Sequence, residues 1–319
     1  MTERPQPTGP PGAAVVRAVV VGAAARDIAE DDPRGWRLGG GVSYSALTLA
    51  RLGIPTGAVV GVDEAASTAR ELDLLRQAGV DVRLVPLDHG PVFVNLERPE
   101  GRLQLCVSRS DAVSVAMVPD EWRSAGGWIL APVAAELPDD WAAVPTAEAI
   151  VAVGWQGLLR ELIPGDPVRH VEPGPNPLIK RADLVGLSRD DVDPATTVGD
   201  LCRLMHEGAT LAVTQGDHGG LVIEAGPGGA GHERYYPSVR SHAPVDPTGA
   251  GDVFLAALAA TRIEPRLVGG RVGVGVDLLL AAAAASLVLE GPGMLGVPDR
   301  RAVADRIAVA RREGTGKAV

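Results

Sequence analysis

The feature that most restricts the fold is an alternation of short apolar runs with stretches of helical spacing that stop at glycines. The run Val15-Val16-Arg17-Ala18-Val19-Val20-Val21 ends at Gly22. Residues 43–52 have helical spacing and stop at Gly53; Ala58-Val59-Val60-Gly61-Val62 is a second strand. Residues 64–78 read as one helix ending at Gly79, and Val80 to Val85 is strand-like again. Runs that are apolar at every position suit strands buried on both faces. Glycine just past a helix suits a left-handed cap. The pattern predicts an α/β fold, a three-layer sandwich with helices on both faces of a mostly parallel sheet. It resumes at 127–130, 149–153, 182–185 and 210–214, gains a hairpin strand at 221–225, and turns mainly helical from Gly249. Residues 92–97 and 102–107 break the rhythm and read as a separate β-hairpin around Pro99-Glu100. The Gly/Pro cluster 226–231 reads as a surface loop.

A chain of 319 residues fits one large domain or two small ones. Aromatic residues make up 3%, so Ala, Val and Leu are expected to fill the core. The formal net charge of −10 argues against a nucleic-acid or anionic-membrane partner. Cys106 and Cys202 form no CxxC, which disfavours a disulfide scaffold or thiolate zinc site and suits a reducing cytoplasm. The six histidines show no H-x-x-x-H spacing. Residues 278–289 are apolar but too few to span a bilayer, and read as a buried Ala-rich helix. Residues 13–25 are interrupted by Arg17 and follow a Pro-rich start without a basic region, unlike an export signal. Residues 1–12 are expected to be a disordered tail, with one domain over 13–319.

The sharpest segment is Asp246-Pro247-Thr248-Gly249-Ala250-Gly251-Asp252, which runs into apolar residues 253–258. Its glycines let backbone approach an anion closely, and the helix behind them presents unpaired N–H groups and a positive dipole end. An acid just inside such a turn repels an anion, so Asp252 has a purpose as a general base taking a proton from an attacking hydroxyl. The plainer reading is a glycine turn with Asp252 as a helix-start charge. A second segment, Gly39-Gly40-Gly41-Val42-Ser43-Tyr44, puts three glycines before a helix, as a hinge or a close ligand approach requires. Taken alone it is a loop and a cap. Residues 226–231 and 291–296 match G-x-G-x-x-G, but both contain proline and neither joins a strand to a helix. A nicotinamide oxidoreductase is therefore a weak rival, since Gly22-Ala23-Ala24-Ala25 supplies a single glycine after the first strand. Gly314-Thr315-Gly316-Lys317 lacks the spacing and following helix of a phosphate loop.

In this order, the two glycine segments make the chain resemble the PfkB/ribokinase carbohydrate kinases, from Val19 to about Ile307. Gly249-Ala250-Gly251-Asp252 is similar to that family's C-terminal signature, and Gly39-Gly40 with Tyr44 to its N-terminal one. Asp27 after Val21-Gly22 resembles the family's substrate-binding aspartate, and Thr214-Gln215-Gly216-Asp217 with Gly219 its nucleotide-side turn. Arg26-Asp27-Ile28, Tyr44 and the segment Trp155 to Arg160 look like the branch holding myo-inositol kinases.

The resemblance implies a ribokinase-like sheet with a small β lid from about 30–41 and 90–110. It implies ATP as donor, with Ser188, Thr214, Gly216, Asp217 and Gly219 on the nucleotide side. Asp252 would be the base, and the N–H groups of Gly249, Ala250 and Gly251 would steady the migrating phosphoryl. Asp27, Gly39, Gly40, Tyr44 and Arg160 would meet a small polyol, first of all a cyclitol such as myo-inositol, otherwise a sugar or nucleoside. Two departures stand out. Tyr44 replaces a common asparagine, and Ser188-Arg189-Asp190-Asp191 stands where the family has N-x-x-E. Asp191 is then the candidate to hold Mg²⁺ through water, while Asp190 and Asp193 read as a solvated helix start. These departures also motivate a rival, a non-catalytic ligand-binding relative. A monovalent cation near the 246–252 loop and a monomer or homodimer are compatible with the resemblance.

Overall fold

The computed structural model describes residues 15–98, 101–272 and 275–314, so the expected tail and the Lys317 segment lie outside the described residues. From the N-terminus the strands are β1 (Ala18–Ala23), β2 (Ala25–Ile28), β3 (Trp36–Gly39), β4 (Thr56–Val62) and β5 (Asp81–Pro86). Then come β6 (Val92–Arg98), β7 (Gly101–Ser108), β8 (Gly127–Leu130), β9 (Ile150–Gly154), β10 (Arg160–Glu161) and β11 (Arg169–His170). The last four are β12 (Leu184–Ser188), β13 (Thr210–Thr214), β14 (Gly220–Gly226) and β15 (Gly229–Tyr236). The α-helices are α1 (Gly41–Arg51), α2 (Glu64–Ser67), α3 (Glu71–Gln77), α4 (Pro177–Arg181), α5 (Val198–Arg203), α6 (Ala250–Ile263), α7 (Val276–Val288) and α8 (Arg300–Arg312).

Nine strands form one sheet in the order β15-β14-β13-β12-β9-β8-β1-β4-β5. All neighbours from β13 to β5 run parallel, and β14 and β15 turn antiparallel at one edge. β1 pairs with β4 on one side and with the much later β8 on the other. Such a reversal of winding opens a crevice at the carboxyl ends of the two strands.

Alternation along β1 sends Val19 and Val21 to one face and Val20 to the other, and each face has its own core. On the Val20 side α1, α6, α7 and α8 contribute much alanine and leucine. The opposite side is also mostly Ala, Val and Leu, but it adds four fully buried tryptophans, Trp122, Trp128, Trp141 and Trp155. Helix α6 lies close on the sheet because glycines face it. A β-carbon on Gly127 would overlap Ile263, and one on Gly186 would come within 3.0 Å of Leu255.

Several expectations needed adjustment. The first strand starts at Ala18, since Val15 is solvent-exposed. Residues 64–78 form two short helices, because Asp63 caps α2 through the N–H of Ala66 and α3 restarts only at Glu71. The 226–231 cluster is the tip of the β14–β15 hairpin, where Gly228 and Gly229 take positive φ. The hairpin β6–β7 is joined by β2 and β3 into a second sheet ordered β3-β2-β6-β7, the small β element beside the main sheet. Among the described residues no helix is long and apolar enough to cross a membrane.

Candidate active site

At the carboxyl ends of β1 and β8, the first turns of α1 and α6 converge. Gly40 precedes α1 at φ 90° and Gly249 precedes α6 at φ 81°; neither helix start is capped by a side chain. The first N–H groups of α6 therefore keep the donor capacity that a cap would consume. Left-handed φ favours glycine at Gly249, and so does its surroundings, because a β-carbon there would overlap the Tyr44 ring. Tyr44 itself is buried, so its ring forms the floor of the Gly249 turn. Asp246 fastens the same turn by accepting from the N–H groups of Thr248 (2.9 Å) and Gly293 (3.0 Å).

The glycines at 39–41 lie between two carboxylates. A β-carbon on Gly41 would sit 2.7 Å from Asp252 Oδ1, and one on Gly39 would sit 2.7 Å from Asp27 Oδ2. Two residues of chain span roughly 7 Å, so one small molecule could touch both acids. Asp252 is part-buried, and burial pushes its carboxyl up to about 6; Arg160 pulls it down and Asp191 pushes it further up. Those three charges therefore share one electrostatic neighbourhood. Arg160 begins β10 with its guanidinium 5.9 Å from the Phe93 ring centre, against the small sheet.

Asp191 is 5% exposed and caps its own 3₁₀ turn, 189–191, accepting from Ser188 N–H (2.7 Å) and from Gln156 Nε2 (2.7 Å). It is a buried anchor, while its neighbour Asp190 is exposed. Ser188 and Thr214 are register partners at the ends of β12 and β13, and Thr214 Oγ1 donates to Leu187 O at 3.4 Å. Beyond them Gly216 (φ 57°) and Gly219 (φ 80°) bend a turn whose Asp217 is exposed and whose carbonyl at 217 accepts from Ser238 Oγ at 2.5 Å. The structure thus brings together Asp27, Gly39, Gly40, Tyr44, Gly249, Ala250, Gly251 and Asp252. Ser188, Thr214, Gly216, Asp217 and Gly219 lie farther along the sheet edge.

Three site-region residues escaped the sequence reading. Asn95 donates to Asp27 Oδ1 (2.9 Å), and Gln104 donates to Asn95 Oδ1 (2.8 Å). Glu136, 1% exposed, accepts from the N–H groups of Ala23, Val133 and Ala134 and so pins the 131–136 loop to the end of β1. The alternation of β6, which puts Phe93 and Asn95 on one face, was the one signal that could have raised Asn95.

Among the described residues no three or more His, Cys, Asp or Glu side chains gather as a protein-only metal cage. Asp191, whose two oxygens already accept from Ser188 N–H and Gln156 Nε2, fits Mg²⁺ only through an intervening water, a mode Mg²⁺ commonly uses.

Residues 182–298 match the family model of pfkB family carbohydrate kinases, which covers β12 through α7 and the 246–252 turn. Among curated proteins, none matches. Solved structures share the ribokinase fold at low identity. A pyrophosphate-dependent kinase of the ribokinase family, complexed with a pyrophosphate analog and myo-inositol, is 18% identical with a TM-score of 0.68, covering 90% of this chain and 99% of its own. Arabidopsis thaliana ribokinase, complexed with ribose and ATP, is 20% identical with a TM-score of 0.63, over 92% and 98%. Giardia lamblia ribokinase is 14% identical with a TM-score of 0.68, over 94% and 100%.

Proposed function

We propose that this chain, a kinase with a pfkB-family domain on a ribokinase fold, transfers a phosphoryl group from ATP to a hydroxyl of a small polyol, foremost a cyclitol such as myo-inositol. The observation that carries this reading is the pairing of an uncapped α6 start with Asp252, across a glycine turn from Asp27. Asp27 accepts hydroxyl protons of the acceptor and orients the ring. Asp252, held near neutrality by burial, removes the proton from the attacking hydroxyl. The N–H groups at the start of α6 receive the charge that spreads over the moving phosphoryl. Arg160 adds a positive charge to that space and keeps Asp252 partly ionised near neutral pH. Asp191 would hold Mg²⁺ through water, and the ion would neutralise phosphate charge when bound. Ser188, Thr214 and the 216–219 turn line the donor side.

Low identity to the inositol-binding neighbour leaves sugar or nucleoside acceptors as the second reading. Pyrophosphate is the alternative donor, favoured by that neighbour's complex with a pyrophosphate analog. The test is a transfer assay with ATP or pyrophosphate, Mg²⁺, and panels of cyclitols, pentoses, hexoses and nucleosides. Turnover with a cyclitol is expected, and Asp252→Asn should lower it by at least about 10³-fold while donor binding stays within a few fold. Donor binding with silence across every acceptor would favour a non-catalytic binder instead.

A further inference from the structure

The small sheet carries a hydrogen-bond relay that ends on Asp27. Asn95 and Gln104 are direct cross-strand partners on β6 and β7, and Asp27 pairs in register with Phe93, two residues before Asn95. Asp27, Phe93, Asn95 and Gln104 therefore share one face of the sheet. Gln104 Nε2 donates to Asn95 Oδ1 at 2.8 Å, which leaves Asn95 Nδ2 to donate to Asp27 Oδ1 at 2.9 Å. An amide can present either end to a neighbour, and the wrong end would set its carbonyl oxygen against a carboxylate. Gln104 decides which end faces Asp27. The other carboxylate oxygen, Oδ2, is then directed at the 39–41 turn, where Gly39 has no side chain to occupy the space. Arg37 lies opposite Asp27 across β2–β3, yet its guanidinium is paired with Asp31.

We propose that Asn95, polarised by Gln104, is a positioning residue that fixes the Asp27 carboxylate for the acceptor alcohol. This proposal rests on the kinase reading above. It assigns acceptor affinity to two side chains of the small sheet and leaves donor affinity and the chemical step to the main body.

The test is steady-state kinetics on the full chain with Asn95→Ala, Gln104→Ala, Asn95→Asp and Asp27→Asn, each checked for native circular dichroism. Asn95→Ala should raise KM for the alcohol by about 10-fold or more, with kcat and donor KM within about 3-fold. Gln104→Ala should do the same to a smaller degree. Asn95→Asp supplies a readout that a merely structural residue would not move. At acidic pH the new carboxyl shares its proton with Asp27 and donates as the amide did; at higher pH two anions face each other. Its alcohol KM, taken as a ratio to wild type at each pH, should be several-fold higher at pH 8 than at the most acidic pH the fold tolerates. A flat ratio, or an unchanged alcohol KM in Asn95→Ala while Asp27→Asn raises it, would overturn the relay and leave the kinase reading standing. Absence of transfer from either donor to any acceptor in the unsubstituted chain would instead overturn the kinase reading, and full turnover in Asp252→Asn would overturn the base assignment alone. If Asn95→Ala fails to fold, Gln104→Ala and Asn95→Asp decide the matter by the same criteria.

Discussion

Asp252 holds its proton more tightly than an ordinary aspartate because burial outweighs the pull of Arg160. In its proposed role as general base Asp252 works only when ionised, so kcat/KM should rise with pH along an acidic limb with an apparent pKa near 6, read from a pH–rate profile. Arg160→Ala should move that limb upward, since a cation that lowers the value is removed. The same carboxyl affects stability. Its folded value, about 6, exceeds the ordinary 3.8, so its favourable contribution is present below about pH 4 and is lost as pH climbs through 6. Asp252→Asn should therefore be more stable than wild type at pH 7.5 by about 1–2 kcal/mol, with the gain gone near pH 4, as urea midpoints at the two pH values would report. At this scale Asp252 could be singled out from its glycine turn, whereas Asp27 came into view only through the family resemblance. Asn95, Gln104 and Gln156 could not. Asn95 meets Asp27 across 68 positions and Gln156 meets Asp191 across 35, while the Gln104–Asn95 pair, nine positions apart in one hairpin, gains its purpose only from the first of these.

The small sheet is rooted on the body by charges between elements. Arg34, in the turn between β2 and β3, bonds both Asp32 and the α3 residue Glu71, and its guanidinium lies 4.5 Å from the Trp36 ring centre. Arg34 holds the Asp32 carboxyl well below the usual carboxylate range. Nearby, Arg26 on β2 pairs with Asp63, the cap of α2. Arg34→Ala leaves the largely buried Glu71 without its ion-pair partner, while Asp32 keeps Arg70 at 3.0 Å, and should lower the urea midpoint. The alternating strands and helices were legible because each reads locally. The split of 64–78 and the recruitment of β2 into the small sheet were not. A capping aspartate decides the first, and four residues with mixed burial carry too short a period to announce the second.

Across the whole molecule, the proposed donor side lies along β12 and β13, while Asp27 and its relay lie on the other sheet. Substitutions on the two sides should then separate in kinetics. Thr214→Val should raise donor KM several-fold and leave alcohol KM within about 2-fold, the reverse of Asn95→Ala. Strand order was within reach of the sequence only as a class, since nothing local states that β1 would pair with β8, more than a hundred residues later.

The turn at 39–41 runs beside both acids, with Asp27 against Gly39 and Asp252 against Gly41. Its consequence is modularity. Exchange of the β2–β3 and β6–β7 hairpins should change the alcohol that the proposed site takes while leaving α6, its proposed phosphoryl-facing helix, unaltered.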